Sequence, residues 1–459
     1  DRRLNRRCSD LAKHLQSSDL GLGFPGIFEQ KHILKAFYRA MNNEKVSPSK
    51  LINGNREALA ELFSDKAQQN LSSNEPCRIY GYEDTTMGKY PGRKKLELGY
   101  LQTNSDRDNG VLIHTMIACD ENRHPQGILS QQFIHRDRSE FGKKDQRASR
   151  AFEDKESFKW VEPLEELSQW RKGLDFEHRF IVVMDREGDV ASVINGCIDW
   201  DTDFIIRSRH NRLLSNSQRI KLREFVAQSP DFKEASLSRK LHDRKSGAYY
   251  EAECHIRYGQ VDLLDIKAPL YVLHLEEMPQ TRSKSNISSE AASWWILTSL
   301  PLNSPEQAIQ ALDDYEKRWT ITEDFHKALK TGARIEDRQF DSAKALCNVI
   351  SLLSLVVVRI LALRHISDQR PEAPINQIEW GNDKILLNLI PKLDDKYLTP
   401  RDREYSKPMT VMRLSQIVAR MGGHQGYAQK GRPGWQTLYL GAQKLNSILN
   451  TLHSYADIL

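Results

Sequence analysis

SPEQAIQALDDYEKRWTITEDFHKALKTG, residues 304–332, is the stretch on which the reading of this chain turns. It predicts a long helix. Ser304 is a good N-cap, Pro305 takes the first helical position, and Gln307 completes an S-x-x-Q capping box. Gly332 is the stop signal. Ile309, Leu312, Tyr315, Trp319, Phe325, Ala328 and Leu329 recur at helical spacing and make an apolar stripe. Beside it lie Arg318, Glu323, His326, Lys327 and Lys330. Glu323 and Lys330 are two turns apart and share a face. On charge pattern alone that face is a solvated ion-pair surface.

Two stretches upstream change its weight. RIYGYEDTT (78–86) and FIVVMDRE (180–187) each read as a short buried strand whose end turns acidic. A carboxylate at a strand end reaches a site at the sheet edge, as ligand sites of open α/β sheets do. Asp84, Asp185 and a helical Glu323 together offer an all-oxygen set that suits hard divalent cations.

Y-x-x-R … E-x-F-H-K-A-L-K-T-G, preceded by I-V-V-M-D-R-E and Y-E-D-T-T, resembles the DDE transposases of bacterial insertion sequences, the Tn-five transposase group in particular. The order of motifs agrees from an arginine-rich start to a C-terminal G-W-x-x-L-Y-x-G helix, so the resemblance spans nearly the whole chain. It implies an α/β fold: an RNase H-like catalytic core with a β-rich insertion, flanked by helical N- and C-terminal domains. It implies a cut-and-paste DNA transposase in which Asp84, Asp185 and Glu323 hold two Mg²⁺ (or Mn²⁺). Tyr315, Arg318, Lys327 and Lys330 would hold phosphates near the cleaved strand. The expected partners are double-stranded transposon-end DNA, target DNA and a second copy of the chain; the expected setting is a bacterial cytoplasm, at the nucleoid.

The spacing departs from the family's Y-x2-R-x3-E-x6-K at one point. Counted forward from Tyr315 and Arg318 it reaches Thr322; counted back from Lys330 it reaches Glu323. One extra residue rotates a regular helix by about 100°. A π-bulge near Thr320–Thr322 would absorb it. Glu323 is therefore taken as the acid, and Thr322 in its place would mean loss of activity. The competing functions are a nuclease without strand transfer and a catalytically impaired DNA-binding derivative.

The remaining composition is permissive. A net charge of +5 does not by itself imply nucleic acid, so clustering matters more. The six cysteines show no C-x-x-C, which argues against zinc and disulfides and for a reducing compartment. Val349–Leu363 is apolar but interrupted by Ser351, Ser354 and Arg359, and reads as a buried helix. No Ser/His/Asp set or phosphate-binding P-loop stands out. Opening on Asp1, the chain is expected to lack N-terminal residues.

In order, residues 1–70 read as a helical region with four arginines among the first seven residues, bundle or DNA-binding. Residues 71–368 form the expected catalytic domain. Its first three strands are RIYGYED, KLELGYLQT and VLIHTMIAC, with a turn around Asn104–Asn109 and His114 on the third. Arg186 and Asp189 are expected to fix the turn after Asp185. Residues 204–300 alternate as β and form the insertion. Within it, RSRHNRLLSNSQRIKLR (207–223) has six Arg or Lys and no acid, and Arg207, Arg209 and Arg212 are expected to grip DNA backbone. Trp294 and Trp295 fall on opposite faces of one strand, so one suits the core and the other DNA; by resemblance, the position of Trp294 stacks on a flipped base. Residues 369–459 form a helical dimerisation domain. Its end repeats Trp435, Leu438, Ala442, Leu445, Leu449, Leu452, Ala456 and Leu459 as a heptad seam, either a dimer contact or the monomer's own core.

Overall fold

The structure is a computed structural model. It describes the chain apart from residues 1, 17, 19, 70–75, 94, 95, 97, 103–106, 144–148, 216–218, 244, 285, 286, 288, 379–382, 427–430 and 457–459. The architecture is mixed α/β. One nine-stranded sheet runs in the order β3-β2-β1-β4-β5-β9-β8-β7-β6. Its strands are β1 (Cys77–Lys89), β2 (Gly110–Cys119), β3 (Pro125–Ile134), β4 (His178–Met184), β5 (Asp203–Arg207), β6 (Lys233–His242), β7 (Tyr249–Val261), β8 (Leu270–Glu277) and β9 (Ser293–Thr298). The chain divides into two compact units, residues 1–65, 85–144 and 321–459 in one, 66–84 and 145–320 in the other.

The first unit is mostly helical. Its N-terminal helices are α1 (Arg2–Gln16), α2 (Phe24–Ile27), α3 (Lys31–Met41) and α4 (Pro48–Gln69). Ser47 caps α4, its hydroxyl accepting from Lys50 N–H at 3.3 Å. β2 is buried along its whole length and pairs antiparallel with β3. That third strand is a correction: the expected KLELGYLQT forms no ladder strand in its described residues, where Gly99 makes an isolated bridge to Gly110. The turn expected at Asn104–Asn109 lies partly outside the described residues.

The core of this unit is α9 (Ala343–Gln369), close to the apolar helix the sequence offers over Ser342–His365 and apolar enough by composition to cross a membrane, but packed inside the fold. Its Ser342 cap accepts from Ala345 N–H at 3.2 Å. It packs against β3, α1, α3, α12 (Val411–Met421) and α13 (Trp435–Ala456). Between α9 and α12 the chain forms α10 (Lys384–Tyr397) and α11 (Pro400–Arg403). On α13 the seam residues Trp435, Leu438, Ala442, Leu445 and Leu449 are all buried within this unit. These five residues thus belong to the monomer's own core, one of the two readings the heptad spacing left open; Leu452 is half-buried, and the side chains of Ala456 and Leu459 lie outside the described residues. The cause is a close crossing: a Cβ on Gly441 would stand 1.7 Å from the Val418 carbonyl oxygen, so glycine lets α12 and α13 touch backbone to backbone.

The second unit holds the centre of the sheet. β4 lies between β1 and β5 and is parallel to both. Phe180–Met184 is buried throughout, as parallel strands covered on both faces require. After β4 come α6 (Ala191–Asp199) and then β5; α5 (Glu162–Lys172) precedes β4. Residues 204–300 are β-rich as read: β6, β7, β8 and β9 pair antiparallel in succession, and β9 returns beside β5. The short α7 (Leu222–Gln228) sits before β6.

The decisive helix, α8, runs from Pro305 to Lys327. Ser304 Oγ accepts from Gln307 N–H at 3.4 Å, while Gln307 Oε1 accepts from Asn303 N–H at 2.7 Å, one residue ahead of the ordinary box partner. No bulge interrupts Thr320–Thr322, contrary to expectation; the π turn lies later, at Ala328–Gly332, with Ala333 N–H donating to Ala328 O at 2.9 Å. That turn lies where Gly332 meets the Trp435 indole, which leaves no room for a Cβ (1.4 Å to the nearest ring carbon). The buried face of α8 also differs by one position. Arg318 is buried and Trp319 is 63% exposed, the reverse of the apolar stripe read from sequence.

Candidate active site

Asp84 stands on β1, and Asp185 just past the end of the neighbouring parallel strand β4. The register pairs Tyr82 with Val183; Asp84 lies two residues further along β1, and Asp185 directly follows Met184, the last residue of β4. The two acids are thus level with each other and, by the pleat, on one face. Tyr80 and Tyr82 precede Asp84 on that face, their rings stacked at 5.9 Å. The first part of α8 is held across it. Tyr80 Oη donates to Asp314 Oδ2 at 3.0 Å, and Arg318 donates to Asp84 Oδ2 at 2.9 Å. Arg239 of β6 secures α8 further, pairing with Asp313 at 2.6 Å and Glu316 at 2.8 Å.

This explains why an arginine is turned inward on an otherwise apolar face. Burial works against the Arg318 charge, but Asp84, Tyr315 and Asp185 outweigh it and hold the guanidinium above its ordinary range. Asp185 feels the opposite balance. Burial lifts its carboxyl above the usual carboxylate range; the Glu187 N–H and Arg318 oppose this, while Asp84 and Glu187 add to it. Asp185 Oδ1 accepts from Glu187 N–H at 2.7 Å, so the same side chain forms the turn that ends β4. One residue before Asp84, burial pushes the Glu83 carboxyl well up, with Lys159 opposing. Thr85 Oγ1 and His114 Nδ1 lie 2.9 Å apart, so His114 is a buried partner of the strand that carries Asp84.

The basic stretch 207–223 resolves into different roles. Arg207 is half-buried and Arg209 exposed. Arg212 is not a surface cation: it is buried, bonds Asp189 Oδ1 at 2.5 Å and also pairs with Asp265. Asp189, fully buried, further accepts from Arg209 N–H at 2.5 Å, His210 N–H at 2.8 Å and the Ser208 hydroxyl at 3.2 Å. Asp189 therefore ties the turn after Asp185 to the loop after β5, and Arg212 neutralises it there. This corrects the DNA role expected of Arg212. Arg212→Ala should cost about 3 kcal/mol or more of stability by stranding the buried Asp189 charge, read as a lowered thermal midpoint; an unchanged midpoint would return Arg212 to the surface.

The two tryptophans part as strand alternation requires. Trp294 packs against Tyr315 at 6.3 Å, with the Arg207 guanidinium 5.5 Å from its ring. Trp295 is stacked by His274 of the adjacent strand at 3.9 Å and 12°, with Arg223 at 5.5 Å. Arg207, Arg209, Arg223 and Trp295 line one open cleft of about 310 Å³, together with Arg186. Arg223 closes the basic stretch 207–223 read from the sequence, whereas Arg186 was expected only to fix the turn after Asp185.

On the last part of α8, in the other unit, Thr322 is buried, Glu323 and Lys327 are exposed, and Lys330 is half-buried on the π turn. Asp324 pairs with Arg364 of α9 at 3.2 Å. Among the described residues no three His, Cys, Asp or Glu side chains gather into a ready-made cation cage. The Asp84–Asp185 pair nevertheless suits Mg²⁺, which commonly takes one or two carboxylates and completes its shell with water and substrate phosphate. Compared with known protein families, the chain matches no family model.

Proposed function

We propose that this protein is a metal-dependent DNA transposase of the cut-and-paste kind, built on an RNase H-like core. The observation that carries the proposal is the pair Asp84, on β1, and Asp185, at the end of the adjacent parallel strand β4, with Arg318 bonded to Asp84 and its charge acting on Asp185. The strand order β3-β2-β1-β4-β5, with β1, β4 and β5 mutually parallel, supports the same core. Asp84 and Asp185 would hold Mg²⁺ or Mn²⁺; Glu323 is the third carboxylate that the family resemblance implies. When bound, such cations polarise a phosphate and activate water or a 3′-hydroxyl.

The chain's own groups do the positioning on which phosphoryl transfer depends. Asp185 is fixed by its turn hydrogen bond, and Asp84 by Arg318. Arg318, a planar five-donor fork, suits a phosphate near the cut strand; Tyr315 backs it, its ring 5.9 Å from the guanidinium carbon. Lys327 and Lys330 would neutralise neighbouring phosphates, and Arg207 and Arg209 the flank. Replacing Arg207 and Arg209 by alanine should flatten the salt dependence of DNA binding, each lost phosphate contact changing the log–log slope by about 0.9. An unchanged slope would remove both from the interface.

One observation favours a catalytically impaired DNA-binding derivative instead. Along an uninterrupted α8, Thr322 lies four residues from Arg318, and Glu323 one position further round. Incubation of end-bearing DNA and target DNA with the protein and Mn²⁺ decides. Cleavage with joining supports the transposase, cleavage alone a nuclease, and binding without cleavage the impaired form.

A further inference from the structure

We propose that two copies of this chain join edge to edge through β6, continuing the sheet across a twofold axis at Leu237. This pairing needs no DNA and does not depend on the function proposed above.

β6 stands last in the order of the nine-stranded sheet, with β7 on one side and no strand on the other. The register shows which main-chain groups face outward. Met278, just past β8, donates its N–H to Glu253 O at 2.9 Å, so Glu253 turns its main-chain groups away from β6. N–H and C=O groups alternate sides along a strand, so the even-numbered residues of β7 are the ones that bond β6. They face Lys233, Ala235, Leu237, Arg239 and Leu241. Glu234, Ser236, Ser238 and Lys240 therefore direct their N–H and C=O groups outward, and all four residues are exposed.

Protein edges are commonly blunted by proline, by a bulge or by shortness. β6 is ten residues long and contains no proline or glycine, and its pairing with β7 runs without a register shift. Arg239, whose charge could guard the edge, is turned onto α8, where it pairs with Asp313 and Glu316.

The strand's own sequence selects the occupant. Antiparallel pairing of β6 with its copy about Leu237 sets Ser236 opposite Ser238 and Glu234 opposite Lys240, each twice. These are the outward-facing residues of both strands, so each pair exchanges two hydrogen bonds. Opposite charges directly across a strand pair stabilise it, and like charges oppose it. Lysine on an edge repels most incoming strands; here the copy brings Glu234 to meet it. Glu234 is already held on the exposed face by Arg257 at 3.1 Å, with His255 at 3.4 Å, and a carboxylate has acceptor capacity to spare. Half-buried Leu237 would meet its own copy in the closer, non-hydrogen-bonded kind of pair, which covers its remaining apolar surface. Sliding the register by two residues sets Glu234 opposite His242 or Ser238 instead, so the charges favour the symmetric register. A single strand pair buries less than a standard interface, so the association is weak and concentration-dependent.

Sedimentation velocity of the full chain without DNA, over a concentration series, should show a reversible monomer–dimer equilibrium. Ser238→Pro removes one outward N–H, leaves the bonds to β7 in place, and should abolish the dimer. Glu234→Lys and Lys240→Glu should each weaken it about tenfold, because like charges then meet twice. An equimolar mixture of those two variants should form a heterodimer of wild-type affinity, since both cross-chain pairs again join opposite charges. Damage to either chain's own fold would not be mended by mixing. A chain that stays monomeric across the series would overturn the pairing and leave the edge to a strand of another protein. A dimer that survives Ser238→Pro, or that mixing does not restore, uses another face and overturns it equally. If Ser238→Pro does not fold, the mixing experiment alone decides.

Discussion

Asp185→Asn should abolish metal-dependent DNA cleavage and at the same time raise the thermal stability of the protein. On the proposed function Asp185 holds a catalytic cation, and losing such a carboxylate removes several kcal/mol of charge stabilisation, on the order of a 10³-fold fall in rate. Asparagine keeps an oxygen to accept from Glu187 N–H, so the turn after β4 survives. The stability gain follows from linkage. The folded-state pKa of Asp185 is raised above its ordinary 3.8, mainly by burial. Its contribution is therefore fully present below that ordinary value and is lost as pH rises through the folded value. At neutral pH the ionised side chain is a cost that asparagine does not incur. Activity runs the other way: the ionised form is needed, so cleavage should fail on the acid side at a pH above the usual carboxylate range. Asp84→Ala and Glu323→Ala should also stop cleavage while leaving DNA binding. Full cleavage by Asp185→Asn would end the assignment, and full cleavage by Glu323→Ala would restrict the site to the two strand acids.

The acid pair was legible because its signal is local. Two apolar runs each end in aspartate, and parallel pairing sets those ends level. The caps of α8 and the β character of residues 204–300 were legible for the same reason. What escaped depends on residues far apart in the chain. β3 carries Ser130, Gln131 and Gln132 and looks too polar for a buried strand. Inside the fold Gln131 Nε2 donates to the Thr115 and Ser354 hydroxyls at 3.1 and 2.9 Å, so its amide nitrogen has partners on β2 and α9. Hydrophobicity placed Trp319 inward and Arg318 beside the stripe, yet the partner that turns Arg318 inward is Asp84, on another element. Sign purity made Arg212 look like a surface cation. Its two partners, Asp189 and Asp265, lie outside the window that was pure.

Leu445→Glu with Leu449→Glu should unfold the helical unit and not merely separate two copies of the chain. The heptad spacing of α13 fits either a dimer seam or a core, since both ask only for apolar residues at alternate intervals of three and four. Burial separates them. Leu445 is 0% exposed and Leu449 6%, in a unit where α13 packs against α9, α10 and α12. The contact with α12 is close enough that Gly422 and Gly441 admit no Cβ. Trimming one such leucine to alanine costs about 2–5 kcal/mol through lost burial and the cavity left behind. Glutamate adds the desolvation of a charge with no partner, which exceeds the cavity term. Two such changes surpass the 5–15 kcal/mol that typically holds a domain together. The expected result is loss of the cooperative thermal transition and of far-ultraviolet helicity from the C-terminal helices. A double variant that melts like the wild-type chain, yet sediments as a smaller species on end DNA, would put the seam on the surface. If two chains pair on DNA as the proposed function expects, the buried residues Leu438, Ala442, Leu445 and Leu449 do not supply the contact, and a screen for a dimer-deficient variant should avoid them.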